Sequence, residues 1–272
     1  MKKIYSLKTK ILKLLSVLQI YLFVFLNLAC GLDSFYYLDP PLQLNEPYYS
    51  GSDPLTRYFS FQTNETSATS EVNASYLNGS SAFLFSGTEV YYKIYNNYST
   101  MLSVQSRVDS YTSDSTTASS ATDYLINTAK YVQLNTNSGT ISPLISAIGQ
   151  NRYCYIRLMD YGNDSAYQNM ICVGSQQLTS YDASNNSITN RYLPRRSINS
   201  KYGFNFNSDD ENNPLPVQND ADFTYSSSSS ESGVWYIDMY AISAGRDETF
   251  SWSYSIPRRL GSITIYESDY DD

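Results

Sequence analysis

There is no histidine anywhere in this chain. Histidine is the usual general base at neutral pH and the commonest zinc ligand, so its absence removes the reaction classes that depend on it. Recognised catalytic and nucleotide signatures are missing too. The chain has no Gly-x-Ser-x-Gly, no Ser-x-x-Lys with its supporting motifs, no Gly-x-x-x-x-Gly-Lys and no Gly-x-Gly-x-x-Gly. Positive charge is scarce beyond the N-terminus. Setting aside five leader lysines leaves thirteen basic against 26 acidic residues, a net charge of −13. Such a surface repels phosphate backbones and excludes nucleic acid as a partner. Cysteine occurs only three times.

What is present begins with a leader. Lys2, Lys3, Lys8, Lys10 and Lys13 precede any acidic residue, and Leu14 to Leu28 is apolar except for Ser16, Gln19 and Asn27. A positive stretch, an apolar stretch and small residues at the cut make an export signal. The apolar run is about fifteen residues, short of the roughly 20 that a membrane-crossing helix needs. Ala29-Cys30 places a cysteine just after a small residue, where its thiol receives diacylglycerol before cleavage. Asn27 stands where leucine is usual in that motif, and Leu26 lies one place early. The plain alternative is an ordinary signal peptide cut near a cysteine. Lipidation at Cys30 fixes the mature chain to a membrane surface, since two or more acyl chains hold stably where one binds marginally.

Residues 31–56 carry Pro40, Pro41, Pro47 and Pro54 with little periodicity and read as a tether, with one short strand at Phe35 to Leu38. Strands are predicted at Arg57 to Gln62, at Ala82 to Phe85 and over residues 87–95. In the last, Val90, Tyr92 and Ile94 share one face while Tyr91, Lys93 and Tyr95 share the other. Leu102, Val104, Ser106 and Val108 alternate likewise, predicting a hairpin through Asn96 to Ser99. Ala121, Tyr124, Leu125, Thr128, Ala129 and Val132 instead follow helical spacing. Ser120 and Asp123 supply a capping box, predicting one amphipathic helix of about three turns.

With Cys30 committed to lipid, Cys154 and Cys172 form an even pair in an exported chain, which reads as a disulfide. A hairpin centred on Asn163 sets Cys154 opposite Cys172 and Ile156 opposite Met170. If the two thiols are not joined, they are buried, and no histidine can activate either one.

Residues 176–232 are mostly polar, with strands expected only at Ile188 to Leu193 and Tyr202 to Phe206. Order then returns. Trp235, Ile237, Met239 and Ala241 alternate with Tyr236, Asp238 and Tyr240. Phe250, Trp252, Tyr254 and Ile256 alternate with serines, and Ile263 and Ile265 supply a last strand. These patterns predict a mainly β chain, an antiparallel β-sandwich with one short helix. The expected division is a signal peptide over 1–29, a lipid-anchored tether over 30–56 and a first β-sandwich domain over 57–175 with an inserted helix near 120–133. A second β domain over 176–267 with a long polar loop and an acidic tail over 268–272 complete it. A single larger sandwich is the competing arrangement.

Gly87-Thr88-Glu89-Val90-Tyr91-Tyr92-Lys93-Ile94-Tyr95 resembles the central strand of fibronectin type III and related immunoglobulin-like domains. Together with the relaxed lipidation motif, Trp235 to Ser243, Tyr254 to Pro257 and Leu260 to Ile263, the chain resembles uncharacterised lipoproteins of spirochaetes such as treponemes, a group that tolerates such relaxed motifs. The resemblance implies an address in the bacterial cell envelope and two immunoglobulin/fibronectin-III-like domains. It carries no established activity and transfers no catalytic residue.

Candidate sites are few. Asn207, Asp209 and Glu211 offer alternating oxygens for calcium but lack the glycine and terminal glutamate of an EF-hand, and a solvated acidic loop accounts for them. Leu193-Pro194-Arg195-Arg196 and Ile256-Pro257-Arg258-Arg259 repeat a Pro-Arg-Arg unit, which ordinary ion pairs explain. No metal and no cofactor is implied. Tyrosine is the compositional outlier, at 28 residues. It offers flat apolar area with a polar tip at small entropy cost, so Tyr91 with Tyr95 and Tyr236 with Tyr240 are the candidate ligand-facing aromatics, set against wet sheet faces with no ligand. Three functions stay open: a lipid-anchored module that binds an envelope protein or glycan, an envelope-assembly protein without a soluble ligand, and a hydrolase working through two carboxyls about 5 to 9.5 Å apart.

Overall fold

The computed structural model describes residues 38–44, 57–65, 83–113, 118–160, 168–174, 176–177, 179–181, 187–228, 232–247 and 251–267. All lie in one compact unit, Tyr37–Asp272. The leader with Cys30, most of the tether, the turn expected over 161–165 and the acidic tail lie outside the described residues.

In chain order the first strands are β1 (Leu42–Gln43), β2 (Phe59–Gln62) and β3 (Phe83–Tyr95), followed by helix α1 (Tyr98–Thr112). Helix α2 (Ala118–Asp123) runs into a π-helical turn over Tyr124–Thr128. Then come β4 (Val132–Gln133), β5 (Asn135–Thr136), β6 (Ile145–Ser146), β7 (Tyr153–Arg157), β8 (Met170–Val173) and β9 (Gln176–Gln177). After β10 (Thr179–Tyr181), β11 (Ser187–Arg191), β12 (Pro194–Arg195) and β13 (Phe223–Thr224), the chain closes with β14 (Val234–Asp247), β15 (Trp252–Tyr254) and β16 (Arg258–Tyr266).

The long strands β3 and β14 pair antiparallel from Tyr95↔Tyr236 to Phe83↔Asp247 and form the spine of a seven-stranded sheet. Along the other edge of β14 both β16, over Val234 to Ala241, and β15, over Ala244 to Arg246, pair directly with it. Beyond β3 lie β4, β6 and the parallel β13. A five-stranded sheet of order β1-β2-β7-β8-β9 faces it. Phe59, Phe61, Cys154, Ile156 and Ile171 of the smaller sheet join Val90, Tyr92, Ile94, Ile237, Met239 and Ile263 of the larger in one core. The fold is thus mainly β with antiparallel sheets packed face to face, and the alternating apolar sets read from β3 and β14 do point into that core.

The division expected near residue 176 does not separate two cores. The spine joins a strand from each side of it, and Phe204, Phe206 and Phe223, from the polar stretch after it, are buried in the shared core. The polar composition of that stretch conceals a few large anchors. Tyr202 to Phe206, expected as a strand, is turn-like chain that delivers Phe204 and Phe206, whereas a strand does form at β11.

A third layer covers the opposite face of the large sheet, where Met101, Val108 and Leu125 pack on Tyr91, Tyr95, Tyr131, Tyr240 and Ile242. The expected hairpin from residue 87 to residue 108 is therefore wrong, because its second strand is α1. The Asn97 side chain accepts from the backbone N–H of Thr100 at 2.9 Å, closing the first turn. Met101, Gln105 and Val108, spaced i, i+4, i+7, are buried, while Leu102 is 39% exposed. Burying Met101 and Val108 stabilises this docking by about 1.5–3 kcal/mol each, more than the alternating pattern could gain with Leu102 in water. The second helix is present but ends earlier than expected, since Val132 already belongs to β4. Ala121 and Leu125 are buried as predicted, whereas Thr128 is exposed. The helix starts at Ala118, and the Asp123 carboxylate accepts forward from Asn127 at 2.7 Å, so Ser120 and Asp123 do not form its cap.

Candidate functional site

The helical layer decides which aromatics meet solvent. Tyr91 with Tyr95 and Tyr236 with Tyr240 are expected as separate rows, and the pairing of β3 with β14 brings all four onto one face of the spine. That face is not a free surface. Tyr91, Tyr95 and Tyr240 are buried beneath α1 and the π turn, and Tyr236 is half-buried against Tyr98. Alternation shows which residues share a face and not what covers it, so Tyr91, Tyr95 and Tyr240 are core, with Tyr236 packed half-buried at its margin.

Beneath the helices lies a buried polar chain. Asp238 is fully buried, accepting from Gln105 of α1 at 2.8 Å and from the Tyr131 hydroxyl at 2.5 Å. Tyr95 donates to Tyr131 at 3.1 Å, and Arg259 donates to Gln105 at 3.0 Å. Burial pushes the Asp238 carboxyl up to about 7, opposed by the hydrogen bonds from Tyr131 and Gln105 and by the charge of Arg259. On the same face Lys93 is buried, its ammonium donating to the carbonyls of Lys130 at 3.0 Å and Ala221 at 2.9 Å. Across the sheet, Arg196 is fully buried and grips Asp222 through Nε at 2.9 Å and a terminal nitrogen at 2.7 Å. It also reaches Asp220 at 2.6 Å, while Tyr92 donates to Asp222 at 2.7 Å. Each of these groups has a hydrogen-bond partner inside the protein, and the carboxyl pair Asp220 and Asp222 is tied to one guanidinium.

Beyond the end of the helical layer the same sheet face opens. Trp252 sits opposite Arg246 and Tyr254 opposite Ala244, which continues the row Tyr240, Ile242, Ala244, Arg246 along β14. Trp252 is 41% exposed and Tyr254 36% exposed. Their rings lie 13° from parallel with centroids 6.2 Å apart, and the Arg246 guanidinium stands 6.0 Å from the Trp252 ring centre. Phe250 of the strand expected from Phe250 to Ile256 lies outside the described residues; among those described the strand pairs over Trp252–Tyr254, and Trp252 and Tyr254 turn toward solvent instead of the core.

Beside this pair runs a groove of about 330 Å³ walled by Leu84, Ser86, Ser142, Pro143, Arg246 and Trp252. Its far wall is brought in by Gly87, whose φ of 146° and missing Cβ let β6 approach; a Cβ there would strike the Ile145 carbonyl. Ala147 then donates to the Ser86 carbonyl at 2.9 Å. Under the groove lies Glu89, 1% exposed, which accepts from the Ser142 hydroxyl and from the Tyr91 hydroxyl at 2.6 Å each. The Tyr254 phenol is raised above its ordinary value, first by burial and then by the charge of Glu89.

Trp252, Arg246, Glu89 and Ser142 were not marked by sequence reasoning. The available signal was the pair of aromatics two residues apart on a strand with serines between them, the same signal that misled at Tyr91 and Tyr95.

The other sequence candidates resolve differently. Cys154 and Cys172 are not joined by a disulfide. The β7–β8 register pairs Cys154 with Val173 and Tyr155 with Cys172, one residue away from the expected alignment, so the two thiols point to opposite faces. The observed register carries Ile171, opposite Ile156, into the core, where the expected one would have placed Met170. Cys154 is buried, its thiol pushed up to about 12 by desolvation, and the Cys172 sulfur lies 3.3 Å from that of Met170. Asn207 and Asp210 close local turns, accepting from the backbone of Asp209 and Asn212 at 2.8 Å each. Among the described residues no group of three or more Cys, Asp or Glu side chains is placed to hold a metal ion. Nor, among them, is any helix long and apolar enough to cross a membrane. Searches of protein-family profiles, of curated proteins and of solved structures find no match to this chain.

Proposed function

We propose that the mature chain is a lipid-anchored envelope lipoprotein, held at Cys30, that binds a neutral glycan on Trp252 and Tyr254. The observation that supports this best is the near-parallel pair of exposed rings, one of which, Trp252, lines a groove whose walls combine apolar side chains with the hydroxyls of Ser86 and Ser142. A pyranose ring has flat C–H faces and a hydroxyl rim. The faces stack on aromatic rings, while the rim needs side-chain donors and acceptors, here Arg246, Ser86 and Ser142. Neutrality follows from charge. A chain of net −13 after its leader repels polyanions, and one arginine at the groove does not reverse that field.

The test uses intrinsic fluorescence, because the protein has only two tryptophans and Trp235 is buried. Titration with neutral hexaoses, a β-1,4-glucan, a β-1,4-linked N-acetylglucosamine oligomer and an α-1,4-glucan, should quench or shift Trp252 emission for at least one of them. Trp252→Ala should abolish binding of that hexaose in affinity electrophoresis. If no hexaose binds, or if the variant binds equally well, the glycan assignment fails.

A further inference from the structure

Building on the glycan assignment, we infer that Glu89 is a positioning residue that fixes Ser142 as a hydrogen-bond acceptor. The groove then selects sugars presenting a free hydroxyl at Ser142 and discriminates against those whose oxygen there is alkylated. Glu89 lies on the central strand β3, buried, and has no cation as a partner among the described residues; its contacts are the Ser142 and Tyr91 hydroxyls, at 2.6 Å on separate oxygens. A carboxylate only accepts hydrogen bonds, so both hydroxyls must donate. Tyr91 is suited to this, since burial and then the charge of Glu89 hold its phenol protonated.

Ser142 owns a single proton, and that proton is spent on Glu89. What its oxygen can offer the groove is a lone pair. Gln133 approaches the same oxygen only at 3.5 Å, at the limit of a hydrogen bond. Ser142 is exposed and forms part of the groove wall, so a ligand atom can reach it. Arg246, which lines the same groove, has donors and no acceptor. A ligand hydroxyl in the groove has both capacities these residues call for, donating to Ser142 and accepting from the guanidinium. An ether oxygen can do only the second and leaves the Ser142 lone pair without a donor. Because Glu89 is charge-bearing and Ser142 bridges it to the ligand, the chain of hydrogen bonds is polarised in one direction.

The experiment compares the best-binding hexaose with its permethylated form. The wild-type protein should prefer the free sugar by roughly tenfold or more, the scale of a hydrogen bond to a polarised group. Glu89→Gln offers an amide N–H that can donate to Ser142 and release its proton toward the groove, so the preference should shrink several-fold. Ser142→Ala removes the acceptor from an exposed position and should also bring the ratio toward one, which keeps the test usable if Glu89→Gln fails to fold by circular dichroism. An unchanged ratio in Ser142→Ala, or in a folded Glu89→Gln, overturns the inference while leaving the glycan assignment standing, provided Trp252→Ala still abolishes binding. If the wild type binds no hexaose, both fall together.

Discussion

Asp238→Asn is the perturbation whose magnitude can be worked from the structure. The carboxyl is fully buried between sheet and helix, and its pKa rises from the ordinary 3.8 to about 7 because desolvation outweighs the bonds from Tyr131 and Gln105 and the field of Arg259. The groups around it are Tyr95, Tyr131 and Tyr240, which stay neutral, Gln105, and the basic side chains of Arg259 and of Lys93, its cross-strand neighbour on β3. A folded-state pKa above the unfolded one means that the native protein binds the proton more tightly. The stability from this group is fully present below about pH 4 and is lost as pH rises through about 7. At about 1.4 kcal/mol per unit, the loss is about 4 kcal/mol. Asparagine has nearly the same shape and no titration. Urea unfolding of both proteins at pH 4, 5, 6, 7 and 8 should give similar stabilities at the acid end. The variant should be the more stable at pH 8, with a midpoint higher by about 1 M at a slope near 3 kcal/mol/M. Taking the difference between the two proteins cancels every other carboxyl. A difference that is flat with pH, or a variant no more stable than wild type at pH 8, would refute the reasoning.

Arg196→Met leaves Asp222 buried without its cation and should cost about 3–5 kcal/mol, read from the same urea curves. Adding Asp222→Leu should restore much of that loss; a single variant costing under about 1 kcal/mol would mean that the pair is not desolvated as the structure has it. Mass spectrometry of the protein from its native envelope should show loss of residues 1–29 and an acyl-sized increment on Cys30. In the same sample unfolded without reductant, Cys154 and Cys172 should both take up an alkylating reagent. An unmodified Cys30 would remove the anchor, and a linked Cys154–Cys172 peptide would overturn the β7–β8 register.

Period-2 alternation made β3 and β14 legible as strands, and it sorted their residues correctly onto two faces. It could not tell that both faces are buried, because the residues on the second face are tyrosines and a few charged groups that suit wet sheets equally well. Helix α1 was hidden by a coincidence. Leu102, Val104, Ser106 and Val108 alternate, while Met101, Val104, Gln105 and Val108 follow the helical repeat, and only the capping side chain of Asn97 distinguishes them. The disulfide failed by one residue of register. A turn of unknown geometry leaves that register open, and only the demand that Ile171 enter the core resolves it. Trp252 and Tyr254 carry the same pattern as Tyr91 and Tyr95. What separates them is where the helical layer stops, a fact of three-dimensional packing that no local spacing encodes.

The repeated Pro-Arg-Arg unit shows how two similar stretches come to opposite electrostatic ends. In both, the second arginine turns toward a buried acid, Arg196 toward Asp222 and Arg259 toward Asp238. Arg196 meets its acid directly, with two nitrogens on two oxygens, and a second carboxylate, Asp220, shares the same guanidinium. Charge is compensated at contact distance, so the pair can remain ionised in the core. Arg259 instead bonds Gln105, whose amide passes a neutral hydrogen bond on to Asp238. An amide conveys orientation but not a full charge, and the field of Arg259 alone ranks behind the bonds from Tyr131 and Gln105 in holding the Asp238 pKa down. Desolvation therefore prevails at Asp238, and α1, attached through Gln105, rests on a carboxyl that titrates near neutrality. The direct grip leaves Asp222 paired with a guanidinium, whereas the relayed one leaves Asp238, beneath α1, with a carboxyl that burial raises to about 7.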